Sequence, residues 1–193
     1  MLRTRARPLT QEEIASAATR ELIEHMKETL RDAPGVGLAA PQIGLPLQLA
    51  VIEDRPEYQA GLSASELAAR ERRPVPFHVI VNPRIRLLSA PDAAFFEGCL
   101  SLPGFVAIVP RSRRVLVECL DEAGKPARIE ARGWYARILQ HEIDHLNGTL
   151  YIDRMVSRSF CSLEHYNRNW KARPIEELPP QMVRPDGGEP ENE

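Results

Sequence analysis

A chain of 193 residues with 43% hydrophobic and 27% charged residues suits one globular domain with a buried core. Its formal net charge of −2 gives no global field favouring nucleic acid or an anionic membrane. No apolar run approaches the roughly 20 residues that span a bilayer, so no membrane is expected. The start, "MLRTRARPLT", has arginines but no apolar core after them, unlike a secretory signal, and reads as a solvated terminus. Cys99, Cys119 and Cys161 are an odd number with no close pairing, which fits a reducing compartment.

Along the chain, Thr10 and Glu13 form a capping-box pattern ahead of "IASAATRELIEHMKETL". Ile14, Ala18, Leu22, Met26 and Leu30 recur every fourth residue, which predicts one amphipathic helix ending near Pro34. "GVGLAAPQIG" follows as a loop, and "LPLQLAVIE" alternates as a strand. Residues 54–76 are polar and mostly irregular. They read as an excursion from the core, with a short helix in "LSASELAARER" capped by Ser63 or Ser65. "FHVIVNPRIRLLS" predicts a strand interrupted at Pro83, "FFEGCLSLPG" an extended segment, and "RRVLVECLDEAGKPARIEARG" a hairpin. A helix is predicted from Trp134 to Asn147, apolar on more than one side and therefore buried. From Pro174 onward the chain is acidic and rich in Pro and Gly, which predicts a flexible tail. The expected class is α+β: mostly antiparallel strands in small sheets around a buried central helix, with an N-terminal amphipathic helix. The expected domains are one catalytic domain over 1–173 and a tail over 174–193.

"QHEIDH" carries the chemistry. Residues four apart on a helix share a face, so His141 and His145 can aim two ring nitrogens at one point. Glu142 projects beside them, close enough to reach a water on a bound metal without being a ligand. A catalytic tetrahedral site wants a third protein ligand. Asp153, Glu164 and His165 are the downstream candidates, and Cys99 of "EGCLSLP" is the upstream one. "GVGLAA" also matches a dinucleotide-binding fingerprint, but a helix precedes it and Pro41 and Gly44 follow, so that reading is set aside. Gly35 and Gly37 instead allow a peptide backbone to lie alongside as an added strand.

"GVGLAAPQIG", "EGCLS" and "QHEIDH", in that order, resemble the three signature motifs of the peptide deformylases, most closely a mitochondrial-like subtype of the type 1 family. One departure from the better-known bacterial subtype is Gly104–Phe105–Val106, which bears on outer substrate contacts. The resemblance implies Cys99, His141 and His145 as metal ligands, Glu142 as general base and acid, and Gln42 with the backbone N–H of Leu100 as oxyanion donors. It implies an apolar pocket from Val36, Phe95, Trp134 and Ile138, with Arg137 at its rim and Glu97 among the substrate contacts. It further implies Fe2+ as the physiological ion, with Zn2+, Ni2+ and Co2+ as alternatives that imidazole and thiolate also accept.

The activity so implied is removal of the N-formyl group from formyl-methionyl nascent peptides, releasing formate, near the ribosomal exit tunnel. The location so implied is the bacterial cytoplasm, or a mitochondrion or plastid if the Arg-rich start is a transit remnant. Two rivals stand beside this reading: a zinc endopeptidase using His141, His145 and Glu164, and an inactive homologue that binds formylated chains.

Overall fold

The structure, a computed structural model, describes residues 1–33 and 35–183. In chain order the helices and strands are α1 (Gln11–Ala15), α2 (Ala17–Asp32), β1 (Gly37–Ala39), β2 (Leu49–Asp54), α3 (Ala64–Ala69), β3 (Val75–Leu87), β4 (Ala93–Cys99), β5 (Leu102–Arg111), β6 (Arg114–Leu120), β7 (Pro126–Arg132), α4 (Gly133–Leu146), β8 (Cys161–Ser162), α5 (Leu163–Asn169) and α6 (Pro180–Val183). Among the described residues the pairings between these strands are antiparallel, with one isolated parallel bridge between Arg7 and Leu47, so the expected mixture of helices and antiparallel sheets is what forms. The chain divides into two compact units, one of residues Met1–Ala90 with Ser112–Leu150, the other of Pro91–Arg111 with the chain from Tyr151 onward.

The first unit is built on a five-stranded sheet in the order β1-β2-β3-β6-β7. Both faces of β2 and β3 are covered. Leu49, Val51, Val79 and Val81 pack with Ile23, Met26 and Leu30 of α2. Ala50, Ile52 and Ile80, which alternate with them, pack with Ile138, Leu139, Ile143 and Leu146 of α4. Period-two alternation thus separates two apolar layers rather than core from solvent, and all six residues of β2 are buried.

The N-terminal helix differs from its prediction. Thr10 and Glu13 do form the capping box, but the helix breaks at Ser16, whose extended backbone (φ −69°, ψ 154°) ends α1 and whose hydroxyl accepts the Thr19 N–H to start α2. The break moves the buried stripe by one residue at two positions, from Ala18 and Leu22 to Thr19 and Ile23, while Ile14, Met26 and Leu30 are buried as expected. Thr19, Ile23, Met26 and Leu30 are buried, while Ala18 is exposed. A Ser competes well for backbone donors, and a cap outweighs one more helical turn.

The start of the chain is not solvated beyond its first few residues. Ala6 and Leu9 are buried, the Ala6 N–H donates to Leu146 O at 2.9 Å, and the Gln48 N–H to Arg7 O at 2.8 Å. The strand expected to be interrupted at Pro83 is β3, whose register shifts there, between Val81 and Arg84, before the strand continues to Leu87. Pro83 has no N–H for the ladder. Asn82 (φ 50°) bulges and exchanges two hydrogen bonds with the Leu9 backbone, at 2.9 and 2.8 Å.

The second unit holds a three-stranded sheet, β4-β5-β8. Tyr151 is buried against Ala107 and Val109, and its hydroxyl donates to Phe105 O at 3.1 Å. Part of the predicted tail belongs to this unit. Leu178 is buried with Ile108 and Val156, and Ile175 and Val183 pack on them, because three apolar side chains suffice to hold a Pro-rich segment down. The rest of the predicted tail, 184–193, lies outside the described residues.

Candidate metal centre

Helix α4 carries the histidine pair. Its residues from Ala136 to Gln140 and from Glu142 to Leu146 are buried. Gln140, one residue before the first histidine, fixes its register. Its carbonyl accepts the Ser112 N–H at 3.0 Å and its amide donates to Ser112 O at 2.8 Å and Ala136 O at 2.9 Å. The two imidazoles lie edge to face with ring centroids 4.9 Å apart, as a four-residue spacing on a helix dictates.

Glu142, 3% exposed, lies against β1. A β-carbon built on Gly37 would fall 2.7 Å from both Cγ and Cδ of Glu142, so the strand approaches the carboxylate as closely as a bare backbone allows. β1 is the first strand in the sheet order, paired only with β2 among the described residues, so its far edge carries backbone N–H and C=O groups along Gly37–Ala39. Directly after it, a turn of 3-10 helix from Ala40 to Ile43 presents Gln42. Gln42 Oε1 accepts the Ala39 N–H at 2.8 Å, which assigns the oxygen and leaves Nε2 as the donating end of the amide.

Cys99 closes β4. The β4–β5 register shifts between Gly98 and Cys99, and Cys99 pairs with Leu102 across a tight turn whose Leu100 is 41% exposed. The Ser101 N–H donates to Cys99 Sγ at 3.4 Å. Behind the strand, Arg111 donates from Nε and Nη2 to the two Glu97 carboxylate oxygens at 3.0 and 2.9 Å, with both side chains buried.

One ligand-type atom from each of Cys99, His141 and His145 lies within 4.8 Å of the other two. A thiolate and two imidazoles are a donor set suited to Zn2+, Fe2+, Co2+ or Ni2+, so these residues fit a divalent transition ion. Of the other candidates for a third ligand, Glu164 sits on α5 with 79% of its side chain exposed, paired with Arg168 at 2.6 Å. His165 accepts a hydrogen bond into the same helix from Asn169, through its backbone oxygen at 3.0 Å.

The remaining expected residues are placed as follows. Ile138 is buried at the centre of the α4-side core, with Val36 and Trp134 packed against it. Arg137 is buried and Phe95 half-buried on β4. The Gly35 N–H donates to Leu30 O at 3.2 Å and closes α2. Burial pushes the Cys119 thiol up to about 11 and raises that of Cys161, so neither is a ready thiolate. Sequence reasoning gave no role to Gln140 or to the Glu97–Arg111 pair. A Gln inside an apolar helix face was the available signal for the first. The second had none, because a buried pair joins positions far apart along the hairpin.

Residues 1–160 match the family model described as polypeptide deformylase, and the chain belongs to that family. It is 50% identical over 154 residues to peptide deformylase 1A, chloroplastic, of Solanum lycopersicum, covering 80% of this chain but 56% of that protein's length. The Met-Ala-Ser-bound crystal structure of a class I type b peptide deformylase from Acinetobacter baumannii superposes with a TM-score of 0.68 at 31% identity, over 80% of this chain and 91% of that one. A peptide deformylase from Synechococcus elongatus in complex with actinonin gives 0.65 at 35% identity, over 95% and 85%. No helix among the described residues is long and apolar enough to cross a membrane.

Proposed function

We propose that the chain is a metal-dependent hydrolase that removes the N-formyl group from the formyl-methionine of newly made polypeptides and releases formate. The observation that carries this is the gathering of Cys99, His141 and His145 donor atoms within 4.8 Å, in a member of the deformylase family. In this reading those three residues hold the ion from the buried helix α4 and the end of β4, and residues 1–173 act as one catalytic domain. A bound divalent ion supplies Lewis acidity that brings a water's pKa from about 15.7 toward 7. On the family resemblance the physiological ion is Fe2+.

The chain's own residues do the rest. The substrate backbone lies alongside Gly35 and Gly37, where the outer edge of β1 begins, as an extended peptide adds to an open strand. Its first side chain enters between Val36, Phe95, Trp134 and Ile138, with Arg137 closing the rim. Glu97, held in place by Arg111, is among the substrate contacts. Glu142 takes the proton of the attacking water and passes it to the leaving amine. Gln42 Nε2 and the Leu100 N–H receive the oxyanion of the tetrahedral intermediate, where one lost donor costs about 2.7–4 kcal/mol. Nascent chains at the ribosomal exit are the natural partner, in a bacterial cytoplasm or an organelle.

The test is formate release from a formyl-Met tripeptide by protein handled without oxygen, with metal analysis of the same sample. Turnover proportional to bound Fe2+, lost in air and preserved by Ni2+, is the expected result. A metal-loaded protein that releases no formate would sink the reading.

A further inference from the structure

The excursion between β2 and β3 has no part in the chemistry above, yet it is tied to the first turn of α4 at several points. Asp54, at the end of β2, has no exposed surface, and Arg72 donates to both of its carboxylate oxygens at 2.8 Å from Nε and Nη2. Gln59 adds a third bond to Asp54 at 3.3 Å. The guanidinium so fixed lies over the Trp134 ring, 5.0 Å from its centroid, and Arg70 lies 5.7 Å from it.

The backbone makes the same connection. α4 has no side-chain cap and no acidic residue in its first turn. Its leading N–H groups go elsewhere: Trp134 donates to Arg70 O at 2.8 Å and Gly133 to Arg113 O at 2.9 Å. Gly133 has φ +60°, and a β-carbon there would lie 2.7 Å from Arg70 O, so the close approach requires glycine twice over. Glu71, at φ 47°, is braced by Arg113 and Arg132 at 3.2 and 2.7 Å.

Trp134 Nε1 is buried and makes no hydrogen bond among the described residues. The indole is therefore held by its faces and not by its N–H, and the charged contact on those faces comes from the excursion.

We propose that the excursion is a positioning lock for Trp134, in which Arg72, oriented by Asp54, fixes the indole as a wall of the substrate pocket. Arg72 and Asp54 are then positioning residues that set selectivity for the first side chain of the substrate. This rests on the reading of Trp134 as a pocket wall. Arginine suits the task because its planar fork grips a carboxylate through two bonds while its face stacks on a ring, and lysine does neither.

The experiment uses the full chain with Trp170→Phe, which leaves Trp134 as the sole tryptophan of the two. Two variants are made in it: Arg72→Lys, and the neutral pair Asp54→Asn with Arg72→Gln. The lysine variant keeps a charge beside the buried carboxylate and guards against a failure to fold. Acrylamide quenching of Trp134, bound metal, and kcat and KM for formyl-Met and formyl-Leu peptides are measured. The lock predicts faster quenching in both variants and a KM for formyl-Met raised ~10-fold, the scale of one disturbed apolar contact. It also predicts a smaller change for formyl-Leu, with kcat and bound metal held within about twofold. Unchanged quenching overturns the lock on the ring. Faster quenching with an unchanged Met-to-Leu ratio overturns the role in selectivity. If the parent protein released no formate, the pocket reading would fall on that ground, while quenching alone would still decide whether Arg72 holds the ring.

Discussion

Gly37 lies so close to Glu142 that a single methyl group on its α-carbon would overlap the Glu142 side chain. The edge strand that would hold a peptide and the carboxylate that would move its protons are thus fitted to one another with no space between them. Gly37→Ala should displace Glu142 or push β1 outward. Overpacking of this kind costs about 1–3 kcal/mol in stability, but the larger loss should be in turnover, with bound metal retained. Urea unfolding, metal content and formate release on one preparation separate the two effects.

Glu142→Gln keeps shape and removes the proposed base. Turnover should drop at least ~10²-fold while metal content is unchanged, since general acid–base catalysis contributes ~10²–10⁴-fold. Unchanged turnover would remove Glu142 from the mechanism.

The third ligand is tested by metal retention. Cys99→Ser should lose the ion on dialysis, and with it activity. Glu164→Ala should retain both, because its carboxylate is 79% exposed on α5. The reverse pattern would favour an endopeptidase-like site.

Arg111 and Glu97 form a buried ion pair with both side chains within 5% of complete burial. Arg111→Leu removes the cation from beside a buried carboxylate and should cost ~3–5 kcal/mol of unfolding free energy. Glu97→Gln combined with Arg111→Met should recover most of that. Equal losses in the single and double variants would show that packing, not charge, holds the strand pair.

His78 gives a pH dependence. Its Nδ1 lies 2.9 Å from Pro76 O, which can only accept, so the proton is on Nδ1 and Nε2 accepts from the Tyr135 hydroxyl at 2.9 Å. Burial pushes the His78 pKa below its usual value, with Pro76 O and Glu122 pulling weakly the other way. The unfolded chain therefore takes up this proton first as pH falls through about 6.5. The stabilisation is complete above that point and is lost as pH falls toward the lower folded-state value. Wild type should lose more unfolding free energy than His78→Gln between about pH 7.5 and about pH 5.5.

Much of the fold was legible where the pattern is local. The Thr10 cap and the β6–β7 hairpin follow from residues within a few positions of one another, and each forms; of the two caps left open for α3, Ser63 and Ser65, it is Ser63 that caps. The first turns of the α2 stripe were misread by one residue, at Thr19 and Ile23, because Ser16 serves as a cap, and a cap and a mid-helix serine look alike in a periodic sequence; Met26 and Leu30 are buried as expected. The fate of Ala6, Leu9 and Leu178 was not legible. A few apolar residues in a polar terminus are buried only if a distant surface is there to receive them.

By itself the sequence determined that His141 and His145 share one face of a helix with Glu142 beside them, because 3.6-residue periodicity is a property of the local backbone. It also brought the three family motifs into view. The family motifs already singled out Cys99 from Asp153, Glu164 and His165; to that choice the tertiary structure adds a distance, one donor atom each of Cys99, His141 and His145 lying within 4.8 Å of the others. It alone set Gly37 against Glu142 and Arg72 over Trp134. Contacts between residues far apart in the chain depend on how the elements pack, and no short-range pattern encodes that packing.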